Sequence, residues 1–370
     1  MPFPITQLLI GVGAITALTT VLAVILVIAD STIANYGDVT VKVNDEKDLT
    51  VRGGKPLLGS LMEQKLFIPS ACGGKGSCGL CKVKVTSDVG EYLATELPWV
   101  SEEEKKQNIR LSCQLKVKKD IAIRIPEELF SVKEYKTEVA SIRDLTYDIK
   151  EITLRLVDPP EIQFKAGQYV QFVVPEYELT PEPVYRAYSM ASQPSRKNEV
   201  ELEIRLVPNG ICTTYVFKYL KVGDKVTING PYGEFRLSGT NSEMVFIAGG
   251  SGMAPIKAML YDMVEKNIDR KATYFFGARS VRDLFLIEEM RELERKLRNF
   301  TFVPALSEPQ NGDNWKGEKG LITQVLDRHL ASGDSMEAYL CGSPGMIDAS
   351  IKVLNEKGIP NDRIFFDKFA

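Results

Sequence analysis

Cys72-Gly73-Gly74-Lys75-Gly76-Ser77-Cys78-Gly79-Leu80-Cys81 is the stretch that decides this chain, together with Cys113, thirty-two residues beyond Cys81. The spacing is C-x5-C-x2-C followed by a distant cysteine. A [2Fe–2S] cluster needs four thiolates, and the plant-type spacing is C-x4-C-x2-C with a remote fourth ligand. This loop is one residue longer. Its glycines let the backbone wrap closely round an inorganic core, and loop N–H groups aimed at the sulfides tune the potential. Structural zinc is the rival reading, because four-cysteine zinc sites are common. Zinc ribbons use two separated C-x2-C knuckles, and this chain has one. Disulfides are a third, weaker reading. The expected metal ligands are therefore Cys72, Cys78, Cys81 and Cys113.

The 370 residues suffice for two or three domains. Hydrophobic residues make up 44% and charged residues 26%, which is ordinary globular material. A net charge of −3 gives no field for nucleic acid, so no nucleic-acid partner is expected. The two further cysteines, Cys212 and Cys341, lie far apart, unlike a secreted disulfide framework. One histidine, His329, excludes a Rieske centre, which needs two. His329 reads as a helix-surface residue without a functional role.

From Ile5 to Ala29 no residue is charged. About twenty apolar residues span a bilayer as a helix, so residues 1–30 read as a transmembrane anchor. A cleaved signal peptide would show a basic start, whereas this chain starts Met1-Pro2-Phe3-Pro4. Gly11, Gly13, Thr16, Thr19 and Thr20 either admit a second helix or simply face lipid. After a polar linker, 31–38, alternating strands, a helix over 57–65 and a capping box at Ser101 and Glu104 outline a small α+β domain, 39–126. Glu151–Leu156 and Glu199–Ile204 alternate strictly, which predicts an antiparallel barrel with one wet face over 135–238. From 239 to 370, apolar strands alternate with helical stretches, the texture of an α/β domain with a parallel sheet.

Arg186-Ala187-Tyr188-Ser189-Met190 ends a barrel strand. An arginine fork can hold a pyrophosphate, an aromatic on the same face can stack on a flavin ring, and the serine can reach its reactive edge. Alone this is a weak pattern. Gly210-Ile211-Cys212-Thr213 then opens a helix whose N–H groups suit a phosphate, with the Thr213 hydroxyl added. Gly230–Phe235 reads as a turn closing the barrel. Gly249-Gly250-Ser251-Gly252 follows an apolar strand and precedes a helix, and Cys341-Gly342-Ser343-Pro344 repeats that arrangement. Two such turns could bracket a nicotinamide nucleotide.

In this order the pieces resemble the ferredoxin–NAD(P)H reductase superfamily. With the cysteine loop and leading helix they resemble, within it, the F subunits of sodium-translocating NADH:quinone oxidoreductases. The resemblance covers essentially the whole chain and is carried by Cys72–Cys81, Arg186–Ala191, Phe276-Gly277-Ala278-Arg279-Ser280 and the tail Asp367–Ala370. The stretch between Val173 and Arg186 looks shorter than is usual, and the tail ends Phe369-Ala370 where Gly-Gly is commoner. The resemblance implies FAD, NADH and a [2Fe–2S] cluster as cofactors. It implies that Arg186, Ala187, Tyr188, Ser189, Gly210, Cys212 and Thr213 hold FAD. It implies that Gly249, Gly250, Ser251, Gly252, Arg279 and Gly342 hold NADH. Ser189, Cys341 and Phe369 are then the residues at the reacting atoms, with Phe369 over the flavin until nicotinamide displaces it. It further implies partner membrane subunits, a quinone reached only through them, and a single-pass protein of the cell's inner membrane with its soluble domains in the cytoplasm. A membrane-tethered reductase feeding an oxygenase or another metalloprotein is the alternative.

Overall fold

The computed structural model describes residues 5–32, 36–310 and 312–369. The Met1–Pro4 start, part of the 31–38 linker and the terminal Ala370 lie outside the described residues. The chain forms two compact units, one of residues 1–68 with 74–130 and one of 69–73 with 131–370.

In the first unit, α1 runs from Ile5 to Thr32 and is long and apolar enough to cross a membrane. Its side chains from Leu9 to Val27 are exposed. Thr16 and Thr20 donate their hydroxyls to the carbonyls of Val12 and Thr16 at 2.8 Å. Each hydroxyl is thus satisfied inside the helix, as hydrocarbon surroundings require. A five-stranded sheet follows: β1 (Asp38–Val43), β2 (Lys47–Arg52), β3 (Lys82–Val85), β4 (Ile109–Leu111) and β5 (Ile121–Arg124), in the order β2-β1-β5-β3-β4. Only β1 and β5 pair in parallel. The helices are α2 (Leu57–Glu63) and α3 (Glu102–Lys106). The predicted capping box is present: Ser101 accepts from the Glu104 N–H, and Glu104 accepts from the Ser101 N–H.

The loop between β3 and α3 is fixed by one ion pair. Arg110 donates to Glu96 at 2.9 and 2.6 Å and to the carbonyls of Gly90 and Glu91. Both side chains are almost fully buried. Burial alone would raise the Glu96 carboxyl, but Arg110 and the N–H groups of Leu93 and Leu111 hold it below the ordinary glutamate value. That contribution to stability is present above about pH 4.3, the unfolded value, and is lost as pH falls through the depressed folded value. Arg110→Met, which strands a buried carboxylate, is expected to cost about 3–5 kcal/mol, read as a lower unfolding midpoint of the first unit.

The second unit opens with an antiparallel sheet. Its strands are β6 (Lys133–Asp144), β7 (Ile149–Asp158), β8 (Tyr169–Val174), β9 (Val184–Ser189), β10 (Glu199–Arg205) and β11 (Lys225–Tyr232), in the order β10-β7-β6-β11-β8-β9. A bridge from Met190 to Leu202 ties the end of β9 toward β10 and curls the sheet into the barrel. The helix α4 (Ile211–Lys218) lies between β10 and β11. Two expectations are corrected here. Gly230, Pro231 and Tyr232 belong to β11, and the register jumps between Asn229 and Tyr232. A bulge is where a strand tolerates proline, so the strand continues through the expected turn. The outer face of β10 is not wet throughout: Glu203 is 3% exposed.

A parallel sheet completes the unit: β12 (Glu243–Gly249), β13 (Ala272–Ala278), β14 (Phe300–Leu306), β15 (Glu318–Lys319), β16 (Met336–Gly342) and β17 (Ile364–Lys368). It is flanked by α5 (Met253–Glu265), α6 (Ile287–Lys296), α7 (Ile322–His329) and α8 (Pro344–Glu356). Alternate residues of β12 feed two cores: Phe246 packs with Tyr274 and Met259, and Ile247 with Leu340 and Ile347. Both faces are therefore covered, as a parallel sheet needs. The order β15-β14-β13-β12-β16-β17 reverses direction at β12, which puts the switch point between β12 and β16.

Candidate functional site

Open α/β sheets bind ligands outside the carboxyl ends of their strands at such a switch point. Here β12 ends in Gly249 and β16 in Cys341-Gly342, in register Ala248 with Cys341. A 3-10 turn, Gly250–Gly252, leads directly into α5. A Cβ on Gly252 would stand 2.3 Å from the Cys341 carbonyl oxygen, so only glycine lets the two turns touch. Gly250, at φ +56°, turns the chain so that the head of α5 faces the crevice. Arg279 is exposed just past the end of β13. Glycine turns meeting at the head of a helix fit a dinucleotide pyrophosphate.

The C-terminal strand supplies what the sequence reading lacked. β17 pairs with β16 in register Cys341 with Asp367, and the Phe369 N–H donates to the Gly342 carbonyl at 2.9 Å. Ser189, at the end of β9, donates to Asp367 Oδ2 at 3.3 Å. Burial raises the Asp367 carboxyl, and the Ser189 hydrogen bond offsets part of that rise. Burial, reinforced by the Asp367 charge, pushes the Cys341 thiol well above its ordinary value, so it is a neutral thiol. Ser189, Cys341, Phe369 and Asp367 thus converge. Asp367 stood in the tail quoted for the resemblance but carried no role there, because its partner is a barrel serine far away in sequence.

On β9, Arg186 and Tyr188 share a face, as strand alternation requires. The Tyr188 ring meets Phe172 edge-on at 6.3 Å. Its hydroxyl hydrogen-bonds the Cys212 thiol, and burial raises both groups, the thiol to about 12. Cys212, buried on α4, therefore steadies Tyr188 as a neutral partner. Gly210 caps α4 at its N-terminus. Thr213 spends its hydroxyl locally, accepting from the Val207 N–H at 3.1 Å, so the phosphate donors this turn offers are backbone N–H groups. Arg186 donates to the Tyr185 carbonyl at 2.7 Å. This half-open strand fits a flavin with its pyrophosphate at Arg186.

In the first unit Cys81 and Cys113 are buried, and their thiols hydrogen-bond each other. That bond, and then burial, raise Cys81 above the ordinary thiol value. Cys78 is half-buried, as is Cys72, and all four cysteines are free of disulfides. Gln114 donates from Nε2 to the Cys113 sulfur at 3.4 Å. Gly79, at φ +68°, lies against the Trp99 ring, 2.8 Å from where its Cβ would sit. Among the described residues no group of three or more His, Cys, Asp or Glu side chains is arranged to hold a metal ion. A dinuclear cluster asks for two pairs of thiols, one to each iron, and Cys81 with Cys113 is such a pair.

Three family models match in chain order. A 2Fe-2S iron-sulfur cluster binding domain covers residues 41–118, an oxidoreductase FAD-binding domain 136–237 and an oxidoreductase NAD-binding domain 246–352. The chain therefore carries [2Fe–2S], FAD and NAD(H) modules. The F subunit of the Na(+)-translocating NADH-quinone reductase of Neisseria meningitidis serogroup C is 40% identical over 98% of this chain and all of that protein. Its counterpart in Actinobacillus succinogenes is 39% identical over 99% of each. Among solved structures, the Amycolatopsis cytochrome P450 reductase GcoB aligns over 90% of this chain and 98% of its own, at TM-score 0.73 and 27% identity. The ferredoxin reductase in carbazole 1,9a-dioxygenase aligns over 90% of this chain and 99% of its own, at TM-score 0.69 and 28% identity.

Proposed function

Because the chain belongs to the family of the Na(+)-translocating NADH-quinone reductase F subunits, we propose that it is the electron-input component of a membrane NADH:quinone oxidoreductase that moves sodium. When bound, FAD accepts hydride from NADH and the [2Fe–2S] centre carries the electrons onward singly. The protein holds and orients. Cys72, Cys78, Cys81 and Cys113 ligate the cluster. Arg186 and the N-terminus of α4, Gly210 to Thr213, hold the FAD phosphates, with Ala187 between Arg186 and Tyr188 and with Cys212 steadying Tyr188 beside the ring. Gly249, Gly250, Ser251, Gly252, Gly342 and Arg279 hold the dinucleotide. Ser189, held by Asp367, faces the reactive edge, and its hydroxyl and that carboxyl can hold or pass a proton there. Cys341 packs beside the nicotinamide as a neutral thiol. Phe369 covers the flavin and excludes water until nicotinamide arrives.

The observation that carries this reading is the meeting of Ser189 on the barrel with Asp367 beside Cys341 at the switch point. The test is the absorption spectrum of anaerobically purified protein before and after NADH. Flavin bands and broad iron–sulfur absorbance, both bleached, are expected; flavin bands that NADH leaves unchanged would overturn the reading. Arg186→Ala is expected to lower FAD affinity roughly 10- to 100-fold, the worth of a charge-assisted pyrophosphate contact, read as retained FAD per protein.

The helix α1 anchors the protein in the inner membrane, and NADH as substrate puts the soluble part in the cytoplasm. Electrons leave through redox carriers in partner membrane subunits and reach quinone only there. Sodium crosses in those partners, since a single helix without a charge from Ile5 to Ala29 makes a poor ion path. The likeness to two oxygenase-system reductases supports one further reading, a tethered reductase feeding a metalloprotein. Quinone reduction by NADH in membranes holding the co-purifying subunits, absent when this chain is removed, separates the two.

A further inference from the structure

Lys257, on the first turns of α5, is 1% exposed and sits among four carboxylates from three other elements. Its Nζ lies 2.9 Å from Glu151 on β7, 3.2 and 3.8 Å from Glu201 and Glu203 on β10, and 3.7 Å from Glu289 on α6. Arg143 on β6 pairs with Glu151 at 2.8 Å, and Arg196 pairs with Glu201 at 3.3 Å. Lys257, Arg143 and Arg196 thus serve Glu151, Glu201 and Glu289, with Arg196 shared with Glu199 at 3.0 Å, and Glu203 is the carboxyl left without a hydrogen bond. It is buried, and neither of its oxygens has a hydrogen-bond partner. The buried Tyr274 hydroxyl on β13 is equally without a partner, and the two groups feel each other. A buried anion in that position is untenable unless it takes up a proton.

We propose that Glu203 is a proton-binding site whose proton completes the buried clamp on Lys257, and that this clamp seats α5, and the glycine turn at its head, against the barrel. The inference rests on the reading that this turn receives NADH. Burial raises the Glu203 carboxyl to about 8; Lys257 opposes the rise, and Glu151, Glu289 and Glu201 add to it. The other groups facing it are Tyr274 and, on β16, Cys341. Tyr261, which hydrogen-bonds Glu289, lines a cleft of about 980 Å3 with Lys257, Glu151, Glu201 and Glu289. Solvent protons therefore have a route to within one side chain of Glu203. Above its titration the clamp carries one more buried negative charge that no base neutralises, and the head of α5 loosens.

The test uses the full-length holoenzyme. Infrared titration should show a protonated-carboxyl band at about pH 7 that fades by about pH 9 and is missing in Glu203→Gln. Amide exchange over 250–257, compared at equal pH, should speed up several-fold at alkaline pH in the wild type relative to Glu203→Gln. NAD+ binding should weaken several-fold over the same range in the wild type only. A wild-type spectrum without such a band, or a Gln variant with the wild-type exchange profile, overturns the proposal. The wild-type titration alone decides the proton if the variant is unstable. Failure of NAD+ to bind at any pH, with the band and exchange as expected, refutes the functional reading and leaves the proton site standing.

Discussion

Replacing Cys78 by alanine is expected to empty the protein of iron and acid-labile sulfide while leaving FAD content and its bleaching by NADH unchanged. Cys78 stands in a loop whose backbone at Gly76 and Gly79 is left-handed. Three remaining cysteines cannot complete a four-thiolate cluster. Cys78 itself lies in the first unit, whereas the Arg186 strand, the switch-point crevice and the C-terminal strand belong to the second, so FAD binding is expected to persist. Reduction of one-electron acceptors through the cluster should fall to background, while hydride transfer between NADH and a nicotinamide analogue, which needs only the flavin, persists. Full iron and sulfide in Cys78→Ala would remove Cys78 from the ligand set. Zinc in the unmodified protein would remove the cluster itself.

What the sequence disclosed was what local pattern can carry. The cysteine spacing, the Ser101–Glu104 box, the alternation of β7 and β10 and the glycine turns after β12 and β16 each depend on residues a few positions apart. The misses share a different cause. Glu-Val-Glu-Leu-Glu-Ile over 199–204 reads as a half-wet strand, yet α5 covers its acidic face and brings one lysine to balance it. Nothing within the strand announces a cover that arrives some fifty residues later. Asp367 is likewise an ordinary acidic residue until β17 lies beside β16 and meets Ser189. Arg110 and Glu96 form a buried pair that alternation cannot foresee. Periodicity tells which face is apolar; it does not tell which polar residues a later element will bury.

Gly252→Val is expected to abolish productive nicotinamide binding while FAD and the cluster remain. The cause is steric. Gly252 has ordinary helical torsions, φ −62°, so backbone strain does not demand glycine there. Space does: the three nearest atoms to a Cβ are the Cys341 oxygen at 2.3 Å, the Cys341 carbon at 2.7 Å and the Gly342 nitrogen at 3.0 Å, all backbone. No side chain can swing away, so α5 must withdraw from the end of β16. Overpacking of this kind costs about 1–3 kcal/mol of stability. The larger effect falls on the site, because the turn and Gly342 would separate where a pyrophosphate needs both. The KM for NADH should rise at least ~100-fold, as displacements near 1 Å do, with FAD content unaltered. Gly59→Ala is the contrast: Gly59 lies inside α2 with nothing within 4 Å of where a Cβ would sit. That exchange should stabilise by about 0.5–1 kcal/mol and leave NADH kinetics untouched. An unchanged KM in Gly252→Val would move the nucleotide away from the β12–β16 crevice.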